Sequence, residues 1–106
     1  MAAKQQNLLT DAKLRALKPR EKSYEVSDGG GLIVEVLPAG TVAWRYRYWL
    51  NGRREKVSFG TWPATGLKAA RLAYLEAKAS VERGESPAAS KRARKAAARA
   101  DLSAQI

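Results

Sequence analysis

The Asn51-Gly52 step constrains this chain more than any other feature. Both residues accept positive φ at little cost, so the pair closes a two-residue hairpin whose twist matches that of its strands. It lies between two runs suited to strands, Ala43 to Leu50 and Arg53 to Phe59. So short a loop fixes the register. Leu50 faces Arg53, Trp49 faces Arg54 and Tyr48 faces Glu55, followed by Arg47 with Lys56, Tyr46 with Val57, Arg45 with Ser58 and Trp44 with Phe59. Side chains alternate between the faces of a strand. One face therefore collects Trp44, Tyr46, Tyr48, Val57 and Phe59, which suits a core. The other collects Arg45, Arg47, Trp49, Arg54, Lys56 and Ser58. Arg47 directly opposite Lys56 is a like-charge pair, which destabilises a sheet. A merely solvated face would alternate its signs. A polyanion laid against this one would turn the cost into a gain.

Composition narrows the chemistry. The chain has 106 residues, with neither Cys nor His. That length suits one small domain. Without thiols or imidazoles there is no disulfide scaffold, no thiolate or imidazole zinc site, no Cys nucleophile and no His base. No acid/base or metal constellation is recognisable, so an independent enzyme is not expected, and neither is a cofactor. The formal net charge is +10, which directs attention to anionic partners. The excess sits in two places. One is the hairpin, with Arg53 at its tip within reach of a phosphate. The other is a tail containing Lys91, Arg92, Arg94, Lys95 and Arg99 against Asp101. No apolar run is long enough to span a membrane, and the opening MAAKQQN lacks the apolar stretch of an export signal. A cytoplasmic location is expected.

Flanking patterns supply the remaining elements. Leu8 to Leu17 reads as a short helix, with Thr10 as N-cap, Asp11 at the positive end of the dipole and Pro19 as its stop. Leu14 and Leu17 would face the core. Ser23 to Ser27 is a weak strand broken by Asp28-Gly29-Gly30-Gly31. No Gly-Lys-Ser/Thr follows these glycines, so a turn is expected there and not a phosphate cradle. Leu32 to Leu37 is a strand with Val34 and Val36 at period two. If Leu32, Val34 and Val36 point inward, Ile33, Glu35 and Leu37 join the basic face, where Glu35 would pair with a neighbouring Arg. Gly60 to Pro63 leaves the sheet. A helix from Thr65 or Gly66 to about Arg83 carries Leu67, Ala70, Tyr74, Ala77 and Val81 on one stripe, with Gly84 and Pro87 marking its end. The tail from Ala88 favours helix but has almost no apolar stripe, so a linker or a partner-induced helix is expected.

Taken in order, several motifs resemble a known family: Leu9-Thr10-Asp11 with Leu14 to Pro19, Ser27 to Leu32, Trp44-Arg45-Tyr46-Arg47-Tyr48, Asn51-Gly52, Phe59-Gly60-Thr61-Trp62-Pro63, and Gly84 to Pro87. Over about residues 8–87 the chain is similar to the N-terminal arm-site DNA-binding domain of phage and genomic-island integrases of the tyrosine-recombinase class. The resemblance implies an α+β fold: a small three- to four-stranded antiparallel sheet packed against a C-terminal α-helix, with a short N-terminal helix. It implies sequence-specific binding of arm-type double-stranded DNA by the outer sheet face, in the service of site-specific recombination by a mobile element or prophage. Residues 88–106 would be a basic linker toward a core-binding and catalytic region, the latter using arginines, a histidine and a tyrosine. With no His in these 106 residues, strand cleavage is not expected here. The contacts expected on this basis are Arg45, Arg47, Trp49, Arg53, Arg54, Lys56 and Ser58.

One feature departs from the family pattern. Leu72, Leu75 and Ala79 lie opposite the apolar stripe of the long helix. They would pack on the tail or the N-terminal helix, or meet another integrase protomer or domain. The contrasting function is that of a generic RNA- or ribosome-associated basic protein, with Trp49 stacked on an unpaired base. Membrane-surface binding by the tail is disfavoured, because residues 88–100 lack bulky apolar side chains.

Overall fold

The computed structural model describes residues 7–104; residues 1–6 of the N-terminal stretch and the last two residues of the tail lie outside them. Elements follow in the order α1 (Asp11–Ala16), β1 (Tyr24–Gly29), β2 (Leu32–Val36), β3 (Val42–Leu50), β4 (Arg53–Trp62), α2 (Leu67–Glu82) and α3 (Pro87–Ala104). The four strands form one antiparallel meander, β1-β2-β3-β4. The fold is α+β, as expected from the family resemblance.

The inner sheet face is built by alternation. Leu32, Val34, Val36, Trp44, Tyr46, Tyr48 and Val57 are all buried. Ala70, Tyr74 and Ala77 of α2 close over them, with Leu67 and Val81 partly buried at the ends of the same stripe. The two alanines bring the helix close to the aromatic surface, and Tyr74 meets Tyr46 edge-on with ring centroids 5.1 Å apart. Trp44 is fully buried and donates its Nε1–H to the Thr65 carbonyl at 2.8 Å. Its indole is thereby satisfied in an apolar setting. In α1 the Thr10 hydroxyl oxygen accepts from the Lys13 amide, and Leu14 is buried.

The glycine run forms the β1–β2 turn, with φ of +103°, +64° and +95° at Gly29, Gly30 and Gly31. L side chains avoid this region and glycine does not. At Gly31 there is a second reason: a Cβ would stand 2.5 Å from the Arg47 carbonyl oxygen. The same close approach lets the Arg47 amide donate to the Gly31 carbonyl at 3.0 Å.

Ahead of this turn, Asp28 is buried at 2% exposure. Its Oδ1 accepts from the Leu9 amide at 2.8 Å and from Arg71 Nη2 at 3.0 Å, and its Oδ2 accepts from Arg71 Nε at 2.9 Å. Arg71 Nη2 also donates to the Leu9 carbonyl at 2.9 Å. One ion pair thus fastens the N-terminal segment, the glycine turn and α2 together. The carboxylate holds the guanidinium pKa above its ordinary value despite partial burial.

Three expectations need correction. The hairpin register holds from Leu50–Arg53 to Arg45–Ser58, but Trp44 then faces Gly60, not Phe59. A bulge at this step leaves Phe59 as the extra residue, half-buried against the core. Gly60, at φ +102°, follows it in the strand. Second, β4 does not end at Phe59: Thr61 pairs with Ala43 and Trp62 with Val42. Third, the start of the tail is anchored. Pro87 and Ala88 are buried, and Ala88 joins the core. Polar contacts fix it where an apolar stripe is lacking. The Ser86 hydroxyl accepts from the Ala89 amide, and the Ala88 amide donates to the Tyr48 hydroxyl at 3.1 Å.

Candidate nucleic-acid interface

The outer face of β3 and β4 brings Arg45, Arg47, Trp49, Arg54, Lys56 and Ser58 to one surface, as the hairpin register requires. Arg53 sits beside the turn and is exposed. Trp49 is 63% exposed. The Arg54 guanidinium lies 5.3 Å from the Trp49 ring centroid, a cation–π arrangement between paired positions of β3 and β4. The Trp49 ring leaves a large apolar area in water, which makes this surface suited to a partner with flat or apolar edges.

The cations differ in their electrostatic state. Arg45 Nε stands 2.8 Å from Glu35 Oε1, so the expected pairing of Glu35 is present. Arg47 is ion-paired to Glu25 on β1, which the sequence reading did not anticipate. This pair crosses β2 on the outer face of the sheet, from β3 to β1. Arg53, Arg54 and Lys56 are in no ion pair among the described residues. The face therefore carries an acid-neutralised column toward β1 and β2 and an unneutralised basic column along β4. Arg47 and Lys56 face each other in the ladder, and Glu25 offsets only one of the two charges.

Two residues beyond the hairpin add to this surface. Lys91 of α3 donates from Nζ to the Ser58 carbonyl at 2.8 Å, on the open edge of β4. Burial lowers its pKa first, and Lys95, Arg45 and Arg94 push it the same way. An ammonium surrounded by cations is stabilised by an arriving anion. Arg92, one residue on, stands across a cleft from Arg53 and Arg54. Tertiary placement alone reveals both, because the tail has no pattern tying it to the sheet.

Glu55 is the acid within this basic edge. Its Oε1 accepts from the Tyr48 hydroxyl at 2.8 Å and from the Ser86 hydroxyl at 2.7 Å. These bonds hold its carboxyl below the ordinary range, Ser86 contributing most and Tyr48 next, against a small opposing effect of burial. Its negative charge is committed to the joint between β4 and α3.

The expected packing of Leu72 and Leu75 on the tail or the N-terminal helix is not present. They are 54% and 57% exposed, because α2 turns this side away from the sheet. Among the described residues, no group of His, Cys, Asp or Glu could hold a metal ion, and no helix is long and apolar enough to cross a membrane.

A family model described as an arm DNA-binding domain matches residues 9–100. A prophage integrase of Escherichia coli K12, IntA, is 39% identical over 72 residues, which is 66% of this chain and 17% of that protein. The integrase of Enterobacteria phage P4 is 36% identical over 81 residues, covering 74% of this chain and 18% of its own length. The integrase of Shigella phage Sf6 is 33% identical over 86 residues, or 81% of this chain and 22% of that integrase. The chain thus spans about a fifth of the length of the curated relatives it matches.

Proposed function

The chain belongs to the arm DNA-binding domain family, and from that premise we propose that it binds arm-type sites in double-stranded DNA through the outer face of β3 and β4. The observation that carries this reading is the exposed column of Trp49, Arg54 and Lys56 beside the paired Arg45 and Arg47. A two- or three-stranded ribbon fits the major groove, where each base pair shows a distinguishable pattern of donors and acceptors. The flat forks of Arg45 and Arg47 suit guanine O6 and N7. Glu35 lies against Arg45 and Glu25 against Arg47, and in the complex a base edge takes the place of each carboxylate beside its guanidinium. Arg53, Arg54 and Lys56 suit phosphates, and Ser58 suits either. Three cationic phosphate contacts would give a log–log salt slope of about −2.7.

In this reading residues 8–87 form the DNA-binding unit, and 88–106 lead from it toward the rest of an integrase. Strand exchange is assigned to that remainder, and the DNA-bound partner is a recombination complex of a mobile element. Selection of duplexes from a random pool at physiological salt tests the proposal. A common motif should emerge. Arg47→Ala and Lys56→Ala should weaken binding to it while melting like the wild type. Wild-type affinity in both variants would refute the sheet-face interface. Tighter binding of single-stranded RNA than of any selected duplex would replace it with base stacking on Trp49.

A further inference from the structure

Beside the sheet face lies a second basic feature. A shallow cleft of about 310 Å³ separates the edge strand β4 from the first turns of α3, lined by Arg53, Arg54, Glu55, Lys56, Ala88 and Arg92. Its floor is rigid: Ala88 is buried, its amide is bound to the Tyr48 hydroxyl, and Ser86 ties the start of α3 to Glu55. Four cations meet there against one carboxylate, whose Oε1 already accepts from two hydroxyls. None of the four is in an ion pair among the described residues. Like charges held together on a fixed frame raise the free energy of the empty cleft, and an anion relieves it.

We propose that this cleft is a phosphodiester site, which grips the DNA backbone flanking the groove that the sheet enters. The proposal rests on the sheet-face reading, and its dimensions follow from it. Strands lie about 4.7–4.9 Å apart, and the major groove is about 12 Å wide. A ribbon of β3 and β4 with its side chains fills that width, so whatever packs on the outer edge of β4 lies at the phosphate wall. What packs there is α3, pinned by Lys91 to the Ser58 carbonyl. The first turns of α3 are therefore part of the binding surface and not only a connector. The contact carries no base information, so it sets affinity and register but not sequence preference.

The test uses the whole chain and two 25-base-pair duplexes, one carrying the motif enriched by the wild type and one a scramble of it. Binding is titrated between 0.05 and 0.2 M salt for the wild type, for Arg92→Ala, and for Lys68→Ala as a charge-matched control on α2. Loss of one phosphate contact should make the Arg92→Ala slope shallower by about 0.9. Across that salt range this equals about 3.5-fold less loss of affinity. Both duplexes should weaken by the same factor, and Lys68→Ala should keep the wild-type slope. A slope for Arg92→Ala equal to that of Lys68→Ala overturns the cleft while leaving the sheet reading intact. So does a change confined to the motif duplex. A wild type that binds neither duplex, or prefers neither, overturns the sheet reading and the cleft with it.

Discussion

Replacing Asp28 by alanine removes the acceptor for three hydrogen bonds at once: two from Arg71 and one from the Leu9 amide. The carboxylate is almost wholly buried, whereas the Arg71 side chain keeps 28% of its exposure. Removing one partner of a buried ion pair costs about 3–5 kcal/mol, because the other charge is left uncompensated. Water can still reach Arg71, which puts the cost near the low end, at about 3 kcal/mol. In a domain of this size each kcal/mol shifts the melting temperature by about 4–8 °C. The expected drop is therefore about 12–24 °C. Thermal unfolding followed by tryptophan fluorescence measures the drop, and chemical denaturation the free energy, with buried Trp44 as reporter. Arg71→Ala alone also leaves a buried charge unpaired, so the double variant should be much less destabilised than the sum of the singles. A coupling of at least about 1 kcal/mol is expected for such a contact. Asp28→Ala within about 1 kcal/mol of the wild type would refute this account. Singles that add within about 0.5 kcal/mol would show that Asp28 and Arg71 act separately.

Other perturbations test other parts of the fold. Trp44→Ala should destabilise by about 3–5 kcal/mol, since the ring is fully buried and its Nε1–H is bonded to Thr65; unchanged melting would mean that the two sheet faces are assigned the wrong way round. Gly31→Ala should cost about 1–3 kcal/mol in backbone strain, with a further loss because its Cβ meets the Arg47 carbonyl; retention of wild-type melting and DNA affinity would contradict it. Glu55 has a lowered folded pKa, so its stabilising contribution is present above the ordinary carboxylate value and is lost as pH falls through the folded one. The stability difference between wild type and Glu55→Gln should therefore shrink below the ordinary glutamate value of 4.5, and a pH-independent difference would show that the charge plays no part.

The parts of the fold visible in the sequence are those set by local chemistry. Asn51-Gly52 leaves little choice of register, and six consecutive pairs follow from it. Thr10, Gly84 and the Ala70–Tyr74–Ala77 stripe act through short-range geometry and are legible for that reason. The bulge before Gly60 is not, because a regular ladder continuing to Trp44 and Phe59 is equally compatible with the sequence. Glu25 as the partner of Arg47 depends on the β1 register, which is set by an irregularity between Ser27 and Gly29. Arg71 and Asp28 are 43 positions apart, and no periodicity connects them. The start of the tail is the clearest omission. An apolar stripe is the usual sign of a docked helix, but here hydroxyls of Tyr48 and Ser86 fix the joint and one small side chain fills it.

The split between a neutralised and an unneutralised column makes the sheet polar from one side to the other. Glu25 and Glu35 lie toward β1, and the unpaired cations lie toward β4 and α3. A duplex approaching this surface meets little net charge at the margin of β1 and β2 and attraction at the margin of β4 and α3, so the groove wall that lies against β4 is the one held more tightly.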